Sequence, residues 1–186
     1  MTGPDRFIPW LDGGRWERII LLAALVHGIL YLVVVPPWQH YDEPTHFEYA
    51  WLIAERGTLP RPGDYDPGMR REVAASMIEH GFFRDLGFQP NLLLEHEPIW
   101  IGISELDHPP FYYLLASLPL WLIRYSDVSI QLYAARGISL ALYLLTIWLG
   151  GQIVAELVEK DHVLRWAVPA TMALLPAFTD LMTAVN

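Results

Sequence analysis

Residues 19–35 read IILLAALVHGILYLVVV, and residues 36–46 continue as PPWQHYDEPTH. The first stretch is uncharged, and its length suits a helix that crosses about 30 Å of hydrocarbon, which needs about 17 to 25 apolar residues. The two prolines end that helix, because neither can donate a backbone hydrogen bond. The second stretch then brings two carboxylates and two imidazoles directly beyond the helix end. The pattern predicts a membrane anchor followed at once by an acid- and base-rich segment.

Three further apolar blocks follow in the chain, over residues 109–125, 130–158 and 163–182. Together with 19–35 they predict an all-α, polytopic membrane protein with about four transmembrane helices. Residues 1–18 would form a cytoplasmic tail, and residues 36–108 a long extracytoplasmic loop with short amphipathic helices. A cleaved signal peptide is the alternative for the first block, but Pro-Pro-Trp-Gln lacks the small residues of a cleavage site. Prolines inside the later blocks should kink their helices, namely Pro119, Pro169 and Pro176.

Charge is concentrated in the loop. The whole chain carries −9, and residues 36–108 contain 13 acids and 5 arginines, or 5 − 13 = −8. This excludes nucleic acid as a partner, since binding it needs a basic face. The absence of cysteine excludes disulfides and thiolate metal sites. Arginines before the first block place the amino terminus inside by the positive-inside rule, so residues 36–108 are expected outside the cytoplasm. We expect the membrane to be a bacterial plasma membrane. In a four-span topology Lys160 and Arg165 would lie outside, against that rule.

The loop should contain two helices of its own. The first is expected over Glu43–Arg56, with Asp42 as its cap and Gly57 as its end. Its apolar stripe predicts an interfacial position, with Tyr49 and Trp51 at the depth of the lipid headgroups. The second is expected over Met69–His80, between Asp66-Pro67 and Gly81.

Asp42 and Glu43 are the strongest candidates for chemistry. Acidic residues are common at a helix amino terminus, where they cap the backbone and complement the dipole. Capping needs only one of the two, however, and it leaves His40 and His46 unexplained. A carboxylate beside histidine can also act as a general base or a metal ligand. Both interpretations remain open at this point.

The far end of the loop carries a second candidate group. His108 follows Asp107 and precedes Pro109-Pro110, so a rigid entry into the next helix is one interpretation. The other brings His108 back to the same membrane face as Asp42, because both ends of one loop return to one side of the bilayer. Arg136, near the start of the third block, is expected to snorkel to the interface.

Two weaker patterns lie between these ends. Glu95-His96-Glu97 has the composition of a metal-ligand cluster, although an exposed acidic turn is favoured. Arg70-Arg71 could contact phosphate, although a solvated helix face is the default. The chain lacks the nucleotide-binding, metalloprotease and serine-hydrolase motifs.

The order of these segments resembles the integral-membrane glycosyltransferases of the GT-C type, which include protein O-mannosyltransferases and the lipid A aminoarabinose transferase. The resemblance rests on five short stretches: DEPTHFEYA (42–50), GTLP (57–60), HPPFYY (108–113), ARGIS (135–139), and LPAF (175–178) with AVN (184–186). It implies a catalytic role for Asp42, with Glu43 beside it. It also implies substrate binding by four residues: His46, His108, Tyr112 and Arg136.

The implied reaction moves a sugar from a polyprenyl-phosphate donor, held by membrane lipid, to a glycan, lipid or protein acceptor. A cation, either arginine or a divalent metal, would offset the charge of the leaving phosphate. Such enzymes usually have eight or more spans, so the chain resembles their amino-terminal portion. A partner-binding membrane scaffold is the first alternative. A transporter is the second, and it would need paired ionisable groups deep within the helices.

Overall fold

A computed structural model of the 186-residue chain describes residues 15–93 and 99–186. Within those ranges the secondary structure is helical and contains no strand, which confirms the all-α prediction. The helices are α1 (Arg15–Val34), α2 (Glu43–Arg56), α3 (Pro67–Glu79), α4 (Phe111–Leu122), α5 (Val128–Leu157), α6 (Leu164–Leu174) and α7 (Pro176–Thr183). Two of them, α1 and α5, are long and apolar enough to cross a membrane.

The chain divides into two compact units. The helical unit comprises Leu140–Thr183 together with the described residues before Leu32. The loop unit comprises Leu32–Ser139 and Ala184–Asn186. Helices α1 and α5 therefore contribute to both units.

In the helical unit, α1 and α5 are antiparallel. Leu21 and Trp148 line one cleft, and a Cβ on Gly28 would approach the side chain of Leu140. The numbering thus rises along one helix while it falls along the other. Gly28 permits this close approach because it has no side chain, as is common where helices pack within membranes.

The last apolar block is not one continuous helix. Leu175 adopts an extended conformation (φ −75°, ψ 110°) between α6 and α7, so the predicted kink at Pro176 is a break. The break leaves the Ala173 carbonyl without a helical donor, and such groups are costly in an apolar environment. The Tyr143 hydroxyl donates to that oxygen at 2.9 Å, and His27 Nδ1 lies 2.9 Å from it.

In the loop unit, α2 has the bounds that the sequence predicts and is buried on nearly every side. Gly57 (φ 66°) ends it and donates its N–H to Ile53 O at 2.9 Å. The predicted interfacial position is wrong, because Phe47 and Ala50 are inaccessible and Tyr49 is only 3% exposed. Helix α2 is therefore the core of this unit rather than a surface helix.

Helices α3 and α4 pack around α2. Asp66 caps α3 by accepting from Met69 N at 2.8 Å, so α3 begins at Pro67, ahead of the predicted start at Met69. Helix α4 has 12 residues, which span about 18 Å at 1.5 Å per residue, whereas a bilayer core is about 30 Å thick. The block predicted as the second transmembrane helix is therefore a shorter apolar helix, with Pro119 inside it.

Gly28→Val should destabilise the helical unit. A Cβ at Gly28 would lie 2.5 Å from Leu140 Cδ1 and 3.3 Å from Tyr143 Cε1, and overpacking of this kind costs about 1–3 kcal/mol. Thermal unfolding of the purified protein in detergent measures the effect. Gly137→Ala in α5 is the matched control, because its Cβ would meet no described atom within 4 Å. We expect that control to be neutral or up to about 1 kcal/mol stabilising. Equal unfolding temperatures for Gly28→Val and wild type would contradict the close packing.

Candidate functional site

A buried ion pair lies at the centre of the loop unit. Arg136 Nε donates to Glu43 Oε1 at 2.7 Å, and Arg136 Nη2 donates to Glu43 Oε2 at 2.7 Å. Both side chains are 0% exposed. This two-point geometry matches the planar guanidinium to the carboxylate and is the strong form of such a pair.

The remaining donors of Arg136 bind the end of α1. Nη1 donates to Leu32 O and Val35 O at 2.9 Å each, and Nη2 donates to Pro36 O at 3.1 Å. The usual helical donor to Leu32 O would be the N–H of residue 36, which proline lacks. All five N–H groups of the guanidinium are thus used inside the protein. The snorkelling predicted for Arg136 is wrong, and this arrangement leaves no donor for the substrate contact that the resemblance implies.

Glu43 is equally engaged. Besides Arg136, its carboxylate accepts from Trp38 N at 3.0 Å and from Val185 N at 3.4 Å. The glutamate therefore ties the start of α2 to the end of α1, to α5 and to the chain near Val185. This geometry supports a structural role for Glu43 rather than the catalytic role that the resemblance implies.

Asp42 differs from Glu43 in its exposure, its backbone conformation and its contacts. It is partly exposed, and its backbone is left-handed (φ 50°, ψ 16°). Its carbonyl oxygen accepts from Thr45 N at 3.1 Å and from His46 N at 3.2 Å, but its side chain makes no capping hydrogen bond. The side-chain cap predicted for Asp42 is therefore wrong. Aspartate tolerates left-handed backbone better than most residues, and the carboxylate is left for another task.

His46, Glu105 and His108 form a cluster of three ionisable groups, and His46 lies one helical turn after Asp42 on α2. The rings of His46 and His108 are 5.9 Å apart between centroids, and His108 Nδ1 lies 3.2 Å from Glu105 Oε2. The Tyr113 hydroxyl lies 2.7 Å from His46 Nδ1 and 3.5 Å from His108 Nδ1. The structure thus brings the two ends of the loop together, as predicted, although Glu105 rather than Asp107 accompanies His108.

The backbone explains how Glu105 and His108 reach His46. His108 N donates to Glu105 O at 3.0 Å, which closes a turn and places the two side chains together. Just before that turn, Gly102 has a φ of 145°, and a Cβ there would lie 2.8 Å from Thr45 Cγ2. Only glycine permits the loop to pass so close to α2 in that conformation.

Burial lowers the pKa of His46, and this effect outweighs the opposing influence of the Glu105 carboxylate. The His46 ring therefore favours its neutral form. The ring also stacks on Tyr113, which in turn stacks on Tyr49 at 4.0 Å between centroids. The Tyr49 hydroxyl donates to His108 O at 3.3 Å. Aromatic packing between α2 and α4 thus holds the cluster in place.

Other residues singled out from the sequence have structural partners. The Tyr112 hydroxyl lies 2.7 Å from Ser139 Oγ and accepts from Asn186 N at 3.3 Å. Arg70 forms a two-point ion pair with the buried Glu48, at 2.6 and 2.8 Å, so it is not available to phosphate as the sequence suggested. Glu95-His96-Glu97 lies outside the described residues.

Sequence reasoning missed Glu105 and Tyr113 as members of the site. The one signal was the three-residue spacing of Glu105 and His108, which suits a turn.

Removing one member of the buried pair should be costly. Glu43→Gln or Arg136→Met leaves the other charge buried without its partner, and we expect a loss of about 3–5 kcal/mol in the free energy of unfolding. The double variant Glu43→Gln/Arg136→Met should lose clearly less than the sum of the two single changes, since neither charge remains. Denaturant unfolding in detergent gives these values.

Glu55→Gln provides the matched control for that series. Glu55 is an exposed acid on the same helix, and its replacement should change stability by less than about 0.5 kcal/mol. Single variants at Glu43 and Arg136 that behave like Glu55→Gln would refute the structural role of the pair.

Comparison with known proteins does not assign the chain to a family. No protein-family model, curated protein or solved structure matches the chain. The chemistry of the site is therefore argued from its own residues.

Proposed function

We propose that this chain belongs to the integral-membrane glycosyltransferases of the GT-C type, which transfer a sugar from a polyprenyl-phosphate donor. One observation carries the proposal. Asp42 presents a partly exposed carboxylate on strained backbone, between the end of the apolar helix α1 and the His46–His108 pair. Backbone in sparsely populated conformations costs about 1–3 kcal/mol per residue and clusters at functional sites. Trp38 (φ 70°) is the other non-glycine residue of this kind in the described ranges.

Asp42 serves as the general base in this proposal. Its carboxylate takes the proton from an acceptor hydroxyl while that oxygen attacks the anomeric carbon of the sugar. The bond between the anomeric carbon and the phosphate oxygen breaks, and polyprenyl phosphate leaves with the electron pair. The acceptor is a glycan, a lipid or a protein hydroxyl. The lipid tail of the donor explains why the base lies directly after an apolar helix.

The leaving phosphate needs a positive charge that the nearby arginines do not offer. Arg136 and Arg70 are both paired with buried carboxylates of the loop unit. Residues 36–108 also carry 5 − 13 = −8, which repels a phosphate. In this proposal a cation other than these two arginines, either a further basic side chain or a divalent metal, supplies the missing charge.

We infer a membrane topology of three crossings rather than the four that hydropathy predicts. Antiparallel α1 and α5 cross in opposite directions, so α4 does not add a crossing between them. Trp166 shares a cavity with Trp16, and Ala173 lies beside His27. The segment that contains α6 and α7 therefore runs parallel to α1 and supplies the third crossing.

This topology removes a conflict in the charge pattern. Arg165 lies close enough to Glu17 for their charges to interact, so the connection between α5 and α6 is on the same side as the start of α1. Lys160 and Arg165 then join Arg15 and Arg18 on one face, which the positive-inside rule makes cytoplasmic. Residues 36–108 lie on the opposite, extracytoplasmic face of a bacterial plasma membrane.

Cysteine labelling in intact bacterial cells tests the topology. The chain has no cysteine, so each introduced thiol is unique. Asp85→Cys in the loop should react with a membrane-impermeant reagent, whereas Asp161→Cys, between α5 and α6, should react only after lysis. Both positions are exposed on the protein. Labelling of both variants in intact cells would favour four crossings, and protection of Asp85→Cys would reverse the orientation.

Replacement of Asp42 in the full-length protein tests catalysis. Asparagine and glycine both tolerate left-handed backbone, so Asp42→Asn and Asp42→Gly should unfold near the wild-type temperature. Release of polyprenyl phosphate from a lipid-linked sugar donor, measured by mass spectrometry in vesicles, should fall by a factor of about 10² or more.

Asp64→Asn is the control for that experiment, because Asp64 is an acid of the same loop that pairs with Arg56 near the surface. Its release rate should equal that of wild type. The scaffold alternative predicts that Asp42 is dispensable as well. Undiminished release by Asp42→Asn would therefore reject the catalytic assignment, whereas absence of release by the wild type would favour the scaffold alternative.

A further inference from the structure

We propose that His46, Glu105 and His108 form a binding site for a divalent transition-metal ion, with Zn²⁺ as the preferred occupant. One ring nitrogen from each histidine and one oxygen from Glu105 all lie within 4.8 Å of one another. This inference concerns metal binding alone and does not require the glycosyltransferase proposal. Its readout is therefore independent of any sugar transfer.

The distance between two of the three ligand atoms matches that found around a bound zinc ion. Zinc bonds of about 2.0–2.1 Å in tetrahedral geometry place ligand atoms about 3.3 Å apart. Glu105 and His108 already meet this distance, since their closest atoms are 3.2 Å apart. The ligand atom of His46 lies within 4.8 Å of the other two.

The chemistry of the three ligands selects the ion. Calcium and magnesium prefer sites built from oxygen, whereas imidazole favours zinc, copper, nickel and iron. Two histidines and one glutamate are a ligand set of catalytic zinc sites, in which the fourth position holds water or substrate.

The surrounding residues make this a built site rather than a chance meeting of surface groups. His46 is buried on α2, and the Tyr113 hydroxyl lies 2.7 Å from His46 Nδ1 and 3.5 Å from His108 Nδ1. Glu105 is largely buried, whereas His108 is 55% exposed. The ion can therefore enter from solvent through the His108 side. Glu105 and His108 alone would be an ordinary ion pair in a surface turn. The buried His46 adds a third ligand, and this is what makes the cluster a candidate metal site.

Titration with Zn²⁺, and with Co²⁺ as a spectroscopic probe, tests the inference on the full chain in detergent after treatment with a chelator. Wild type should bind one equivalent of Zn²⁺, and Co²⁺ should give the intense visible absorption of a tetrahedral or five-coordinate site. His108→Ala and Glu105→Gln should each weaken binding by about 100-fold or more, beyond the 10–100-fold typical of outer-shell partners. Tyr113→Phe, which keeps the ring stacking, should fall within that outer-shell range.

Two controls locate the site. Asp107→Asn changes an exposed acid within the same turn and should bind Zn²⁺ like wild type. His96→Ala tests the other histidine flanked by acids and should also leave binding unchanged. Unfolding temperatures without metal should match across the series, and Zn²⁺ should raise the temperature of wild type but not of His108→Ala. Absence of binding by wild type, undiminished binding by His108→Ala and Glu105→Gln, or loss of binding in His96→Ala would each overturn the proposal.

Discussion

Two consecutive prolines at the end of α1 impose the constraint on which the loop unit depends. They provide a sharp exit from an apolar helix, but they also remove the donors that its last carbonyl groups would use. Arg136 supplies those donors and brings a positive charge into a site with no access to water. A buried charge of this kind is tolerated only with a partner, and Glu43 is that partner. The chain direction after α1, the start of α2 and the position of α5 thus follow from one backbone requirement.

This requirement also separates the two adjacent acids. Glu43 must face inward to meet Arg136, and left-handed backbone at Asp42 lets the chain turn directly into α2. A buried ion pair is weak evidence for added stability, since desolvation offsets much of its attraction. Its value here is positional, because it fixes the backbone on which Asp42 and His46 lie. Because Asp42 and Glu43 are adjacent in the sequence, they were expected to act together. In the structure Glu43 is a buried structural residue, whereas Asp42 is partly exposed.

Local sequence signals were sufficient to predict the helices of the loop. They were insufficient to predict the contacts that hold those helices together. Gly57 acts within a few residues of its own helix end, so the bounds of α2 could be predicted, whereas α3 begins at Pro67 rather than at the predicted Met69. Arg136 and Glu43 are 93 residues apart, and no periodicity reports such a pairing. Hydropathy predicted four spans, whereas two helices of the described residues, α1 and α5, are long and apolar enough to cross a membrane. It measures apolar length, and the apolar residues of α4 that cover α2 look the same in sequence as residues that face lipid.

The charge balance of the loop unit connects the catalytic proposal with the metal inference. Its buried arginines are neutralised by their own carboxylates, and the excess of acids around them opposes any phosphate-bearing substrate. A permanent lysine or arginine at the site would be drawn into further ion pairs with those acids. Imidazole ligands add no negative charge to a bound ion, so a divalent cation held by two histidines and one glutamate keeps a net charge of about +1. An ion in the proposed His46–Glu105–His108 site would thus place net positive charge within an acidic loop, one helical turn from Asp42 along α2, without changing the ion pairs that hold the loop together.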